Sequence, residues 1–163
     1  MSTPNNQLIT LGIDPGYDRI GWAIGEGLGS KPKIIDFGCI QTNKKDSIFD
    51  RYQAIENKLQ KIIDQHQPQE LAIETLFFSK NKKTALQVSE ARGVILSCCT
   101  RNNLNIFQYY PNQIKLTVTG NGQANKAAVE KMIRLQLDIP QLKIIDDAID
   151  AIGIVLTHAI LKR

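Results

Sequence analysis

Cysteine is scarce in this sequence: there are three, and two of them, Cys98 and Cys99, are adjacent inside an apolar helical pattern. An odd number placed in this way suits buried thiols better than a disulfide framework. The lack of any Cys-x-x-Cys and the isolation of His66 and His158 argue against a structural zinc site as well. No apolar run approaches the roughly 20 residues that span a bilayer. The polar opening Met1 to Gln7 lacks the positive cluster and apolar core of a secretion signal. The expectation is a cytoplasmic protein with no membrane partner. Also missing are a Gly-x-Ser-x-Gly nucleophile elbow, a Gly-x-x-x-x-Gly-Lys-Ser/Thr phosphate loop and a His-Glu-x-x-His metal motif, so three common routes to hydrolysis are closed.

What is present fits one core. A chain of 163 residues with 42% hydrophobic content suits a single domain over 1–163, with 1–7 expected to be disordered. A net charge of +4 is modest, and its placement says more than its size. Lys80, Lys82 and Lys83 fall in one expected loop, while Asp14, Glu74, Asp146, Asp147 and Asp150 fall at the ends of apolar segments. A protein that grips a polyanion above carboxylate-bound metal would separate charge in this way.

The pattern predicts three closely spaced strands, Leu8 to Asp14, Arg19 to Gly25 and Ile34 to Thr42, forming an antiparallel meander. Apolar residues at steps of three and four predict a helix over Ser47 to His66, with Ser47 as N-cap. A short strand, Leu71 to Thr75, a long helix, Lys83 to Asn102, and a fifth strand, Asn105 to Tyr109, follow. Three more helices are expected: from Pro111 to the Gly120-Asn121-Gly122 break, from Asn125 to Gln136, and from Asp146 to Lys162. The fold class is α/β, a mixed five-stranded sheet with helices on both faces.

Strand alternation puts Thr10, Gly12 and Asp14 on one face, and Ala72 with Glu74 on one face of the fourth strand. Taken singly, Asp14 could be a turn residue bonding its own backbone and Glu74 a solvated strand end. The repeated order of small residue then acid points to a shared site. Asp147 and Asp150 lie three apart, one helical turn, on a helix that is apolar nearly all round and has no Lys or Arg between Lys143 and Lys162. Two such acids need raised pKa values or a bound cation. Asp146 is set aside as the helix N-cap. Four carboxylates from two strands and a helix suit Mg²⁺, and two such ions about 4 Å apart can drive phosphodiester hydrolysis without a covalent intermediate.

The sequence also resembles the RuvC-type Holliday junction resolvases. The resemblance runs from about Leu8 to Leu161. It is carried by Gly12-Ile13-Asp14-Pro15-Gly16, Gly38-Cys39-Ile40, Ala72-Ile73-Glu74, Glu90-Ala91-Arg92-Gly93-Val94, Asp147-Ala148-Ile149-Asp150-Ala151 and Thr157-His158. It implies a ribonuclease-H-like fold and a homodimer that nicks four-way junction DNA in pairs with Mg²⁺ or Mn²⁺, together with a RuvA-RuvB branch-migration complex. By position it implies that Asp14, Glu74, Asp147 and Asp150 are the metal-binding, catalytic carboxylates. Phe77 would stack on a base near the junction centre, and Lys115 and Lys126 would lie near the scissile backbone. A loop carrying Phe77, Lys80, Lys82 and Lys83 is suited to unpaired bases and their phosphates. The row Ala85, Ser89, Gly93 and Ser97 is a candidate dimer contact, or a seat for the protein's own sheet.

Three other readings compete: another ribonuclease-H-like nuclease on branched or hybrid nucleic acid, an actin-like or sugar-kinase-like phosphotransferase lobe, and a catalytically silent junction-binding protein. The second shares the Asp-Pro-Gly phosphate loop but needs two lobes. The third leaves four acids without a role.

Overall fold

The computed structural model describes residues 8–76, 82–140 and 143–162. Residues 1–7, expected to be disordered, lie outside these, as do Phe77 and Lys80. The elements follow the predicted order: β1 (Ile9–Asp14), β2 (Arg19–Glu26), β3 (Lys33–Gln41), α1 (Ile48–His66), β4 (Glu70–Glu74), α2 (Lys82–Arg101), β5 (Asn105–Tyr109), α3 (Pro111–Thr119), α4 (Lys126–Gln136) and α5 (Asp146–Leu161). Ser47 caps α1, its side chain accepting from the Asp50 N–H.

The sheet order is β3-β2-β1-β4-β5. The first three strands form the antiparallel meander, and β4 and β5 run parallel to β1. Strand alternation sorts the core into two layers. Leu11, Ile13, Leu71 and Ile73 face α1 and α2 with Ile55, Leu59, Ile95 and the buried free thiols Cys98 and Cys99. Ala23 and Ala72 face the other way, under α5 and its neighbours α3 and α4.

Small residues on that second face let α5 lie close to the sheet. A methyl group added to Gly12 would come 2.6 Å from Val155 Cγ2 and 2.7 Å from the Ala151 carbonyl oxygen. One added to Gly21 would overlap the Asp147 carbonyl, and one added to Gly25 would overlap Val155. Helix α5 is thus pressed on β1 and β2 along its length and runs antiparallel to β1 and β4. This explains why its sequence is apolar all round: eleven consecutive or nearly consecutive residues from Ala148 to Ala159 are buried.

Two sequence expectations change here. Asp146 is the first residue of α5 and not its cap; Ile145 holds the cap position without a side-chain hydrogen bond. The helix start is fixed by packing on Gly21, so no capping side chain is required. Lys82 and Lys83 open α2 and do not lie in a loop, since no proline or glycine stops the helical pattern from reaching back that far.

Candidate active site

Parallel pairing of β1 with β4 matches Ile13 to Ile73, so the next residues, Asp14 and Glu74, emerge side by side at the carboxyl ends of adjacent strands. Both point to the face covered by α5, as the alternation predicts. Asp147 and Asp150 sit in the first turns of α5, above Gly21 and the end of β1. Two strand ends and one helix start therefore bring all four predicted acids to one corner of the fold.

Asp14, Glu74 and Asp150 line a cavity of about 290 Å³ whose wall also carries Lys115 of α3 and Lys126 of α4. Asp147 turns to the neighbouring edge, where its Oδ2 lies 2.6 Å from Arg19 Nη2 and 4.0 Å from Cys39 Sγ. Lys126 Nζ lies 3.1 Å from Asp150 Oδ2 and 3.6 Å from Asp146 Oδ2. The acids of α5 thus do have basic partners. They come from β2 and α4, not from the helix itself, which is why scanning along α5 misses them.

Burial and mutual repulsion set the protonation of the group. Asp14 is pushed up to about 8, first by desolvation and then by the charges of Asp150, Glu74 and Asp147. Glu74 is pushed up to about 7 by desolvation and by Asp150, against the pull of Lys115. Asp150 is raised by desolvation in spite of Lys126. Burial opposes the charge on Lys126, but its hydrogen bond and charge interaction with Asp150 outweigh that, and its pKa rises.

Such carboxylates gather only where something offsets their charge. The donors are all carboxylate oxygens, the ligand type that hard divalent ions take. Among the described residues no three of them converge into a closed ligand set. The ion pairs account for this: Arg19 draws Asp147 outward and Lys126 holds Asp150.

Of the other predicted residues, Lys115 and Lys126 stand at the site, Phe77 and Lys80 lie outside the described residues, and Lys82 and Lys83 are placed only by their backbone in α2. Two contributors were not foreseen. Arg92 of α2 donates from Nε to the Glu74 carbonyl at 3.4 Å and also bonds Gln108. Arg19 was legible in principle, because it precedes Gly21, Ala23 and Gly25 on the strand face that receives α5.

The family described as crossover junction endodeoxyribonuclease RuvC matches residues 10–158. A Petrotoga mobilis protein of that name is 42% identical over 156 residues, 96% of each chain. One from Brachyspira hyodysenteriae is 44% identical with the same coverage. Among solved structures, Thermus thermophilus RuvC in complex with a Holliday junction substrate superposes with a TM-score of 0.89 at 26% identity, covering 96% of this chain and 95% of that one. The yeast mitochondrial Holliday junction resolvase Ydc2 shares the fold, with a TM-score of 0.67 at 13% identity. With a family match over nearly its whole length and relatives above 40% identity, the chain belongs to the RuvC crossover junction endodeoxyribonucleases.

Proposed function

We propose that the protein resolves four-way DNA junctions by metal-dependent phosphodiester hydrolysis, with Asp14, Glu74, Asp147 and Asp150 as the catalytic, metal-binding residues and two Mg²⁺ or Mn²⁺ ions per site. The observation that carries this reading is the pair of side-by-side strand-end acids, Asp14 and Glu74, under the first turns of a helix that brings two more. When bound, the ions would activate the attacking water and stabilise the leaving oxygen. The protein's own part is to gather the ligands, release protons from Asp14 and Glu74 as the ions enter, and neutralise the scissile strand with Lys115 and Lys126. Phe77, Lys80, Lys82 and Lys83 are proposed to hold unpaired bases and backbone near the junction centre.

A four-way junction presents two equivalent strands, so a two-fold homodimer with one site per subunit is the natural match. In support, Ser89, Gly93 and Ser97 are exposed on α2, and a methyl group added to Gly93 would meet nothing within 4 Å. The exposure of these three residues supports the row as a partner contact more than as a seat for the protein's own sheet. Among the described residues no helix is long and apolar enough to cross a membrane, and we place the protein in the cytoplasm, working with a RuvA-RuvB complex. The deciding experiment is Mg²⁺-dependent cleavage of a synthetic four-way junction beside a linear duplex of the same sequence. Paired nicks in the junction alone are expected. Equal cutting of both substrates would favour a general ribonuclease-H-like nuclease, and binding without cutting would favour a silent junction-binding protein.

A further inference from the structure

Arg19 opens β2 on the strand face that carries Gly21, and its guanidinium reaches the one acid that turns away from the shared cavity. The Nη2 to Oδ2 distance of 2.6 Å is that of a close ion pair. Cys39, paired with Gly21 across β2 and β3, approaches the same oxygen. An oxygen held by a guanidinium is not offered to a divalent ion. Arg19 is nonetheless easy to move: its side chain is 50% exposed, against 25% for Asp147, so the head can swing into solvent at little desolvation cost. Among the described residues neither Asp14 nor Glu74 forms an ion pair, whereas both functional acids of α5 do. The α5 side of the site therefore carries its own cations.

Resting on the reading of the four acids as a metal cage, we propose that Arg19 is a displaceable internal counter-ion. It neutralises Asp147 in the metal-free protein, yields Asp147 to an entering divalent cation, and then uses the released guanidinium to bind a backbone phosphate at the rim of the site. Lysine would serve less well in the last step, because only a guanidinium presents the planar fork that matches phosphate oxygens. No bond is made or broken in this exchange; one cation replaces another on a carboxylate, and the displaced one finds a second anion. The mouth of the site would thus be matched to the order metal first, phosphate second.

The test begins with Mn²⁺ alone, titrated calorimetrically into the full-length wild type, R19Q, R19K and D147N without DNA. R19Q is expected to bind Mn²⁺ about two- to fivefold more tightly than wild type, the scale of one partly exposed ion pair relieved, with R19K close to wild type and D147N weaker. Thermal melts run beside the titrations should show R19Q less stable than wild type in chelator and with a larger rise on adding Mn²⁺, a pattern that simple loss of folding would not give. Junction binding is then followed against salt with Ca²⁺ in place of the catalytic ion, and the salt slope of R19Q should be shallower by about one unit, the loss of one phosphate contact. Unchanged or weakened Mn²⁺ binding by R19Q, while wild type binds well and D147N poorly, would overturn the counter-ion role and leave the cage reading standing. An unchanged salt slope would overturn the phosphate step. Absence of Mn²⁺ binding by wild type would remove the cage reading and this inference together.

Discussion

Glu70 Oε2 lies 2.7 Å from His158 Nε2, both side chains fully enclosed at the end of the fold opposite the acid cluster. His158 Nδ1 accepts from the Tyr109 hydroxyl at 2.7 Å, and Lys162 pairs with the other carboxylate oxygen of Glu70. The tautomer with hydrogen on Nε2 satisfies every partner without a net buried charge. Glu70 and Glu74 share one face of β4, as His158 and Asp147 share α5, so the same strand and helix meet at both ends. At one end acids repel; at the other, Glu70 and His158 hold.

His158→Ala should therefore destabilise the protein by about 3 kcal/mol or more, since it strands the Tyr109 hydroxyl and leaves a cavity beside a buried carboxylate. Denaturant unfolding at pH 7.5 checks the value. Burial lowers the His158 pKa from 6.5 to about 4. A folded pKa below the unfolded one means that its stability contribution is present above pH 6.5 and is lost as pH falls towards 4. That acid-side loss should be absent from the variant, whose stability should vary less than that of wild type between pH 7 and pH 5, so that the gap between the two narrows as pH falls.

The acid cluster has the opposite slope. Asp14 and Glu74 have folded pKa values of about 8 and about 7, above their ordinary 3.8 and 4.5. Stability from groups raised in this way is complete below the ordinary values and is lost as pH rises through the folded ones. In chelator the protein should become less stable from pH 5 to pH 9, Asp14→Asn should flatten that fall, and Mg²⁺ should reverse it with proton release. An apo melting temperature that rises over this range would contradict the assignment.

Asp14→Asn, Glu74→Gln, Asp147→Asn and Asp150→Asn each remove one charge while keeping size. Each should slow junction cleavage by about a hundredfold or more, about 3 kcal/mol of transition-state stabilisation, while metal-free junction binding holds or tightens. Asp146→Asn is the internal control. Its side chain is 70% exposed, with a long contact to Lys126, so stability should change by less than about 0.5 kcal/mol and cutting should persist. Single-turnover cleavage of the five variants separates the roles, and loss of cutting in Asp146→Asn alone would misplace the site by one residue.

Two glycines should respond in opposite directions. Gly21→Ala drives a methyl group into the Asp147 carbonyl and must lift the start of α5, costing about 1–3 kcal/mol and most of the activity. Gly93→Ala meets open space in the middle of a helix and should stabilise the monomer by about 0.5–1 kcal/mol. If α2 forms the dimer contact, the same change should weaken dimerisation, measured by light scattering over a dilution series.

Much of this was legible because periodicity is a backbone property. The alternation through Thr10, Gly12 and Asp14, and through Ala72 and Glu74, fixes which face each acid leaves, and the three-residue step from Asp147 to Asp150 fixes the helix edge. Charge partners are a property of packing. Lys126 meets Asp150 across 24 positions of chain and Arg19 meets Asp147 across more than a hundred, so neither pair leaves a mark in the sequence around the acids. The cap of α5 escaped for a related reason: Gly21 holds the start of that helix from another element, and no local signal was required.

The acids belong to opposite ends of the chain order: Asp14 stands on the first strand and Asp150 on the last helix, which comes after every strand of the sheet. Every strand of the sheet is synthesised before α5, and until that helix packs Asp14 and Glu74 stand without Asp147 and Asp150 beside them. If the four acids form one metal cage, as proposed, the cage is completed only when α5 packs on the finished sheet, and a chain lacking α5 would keep just two of the four ligands.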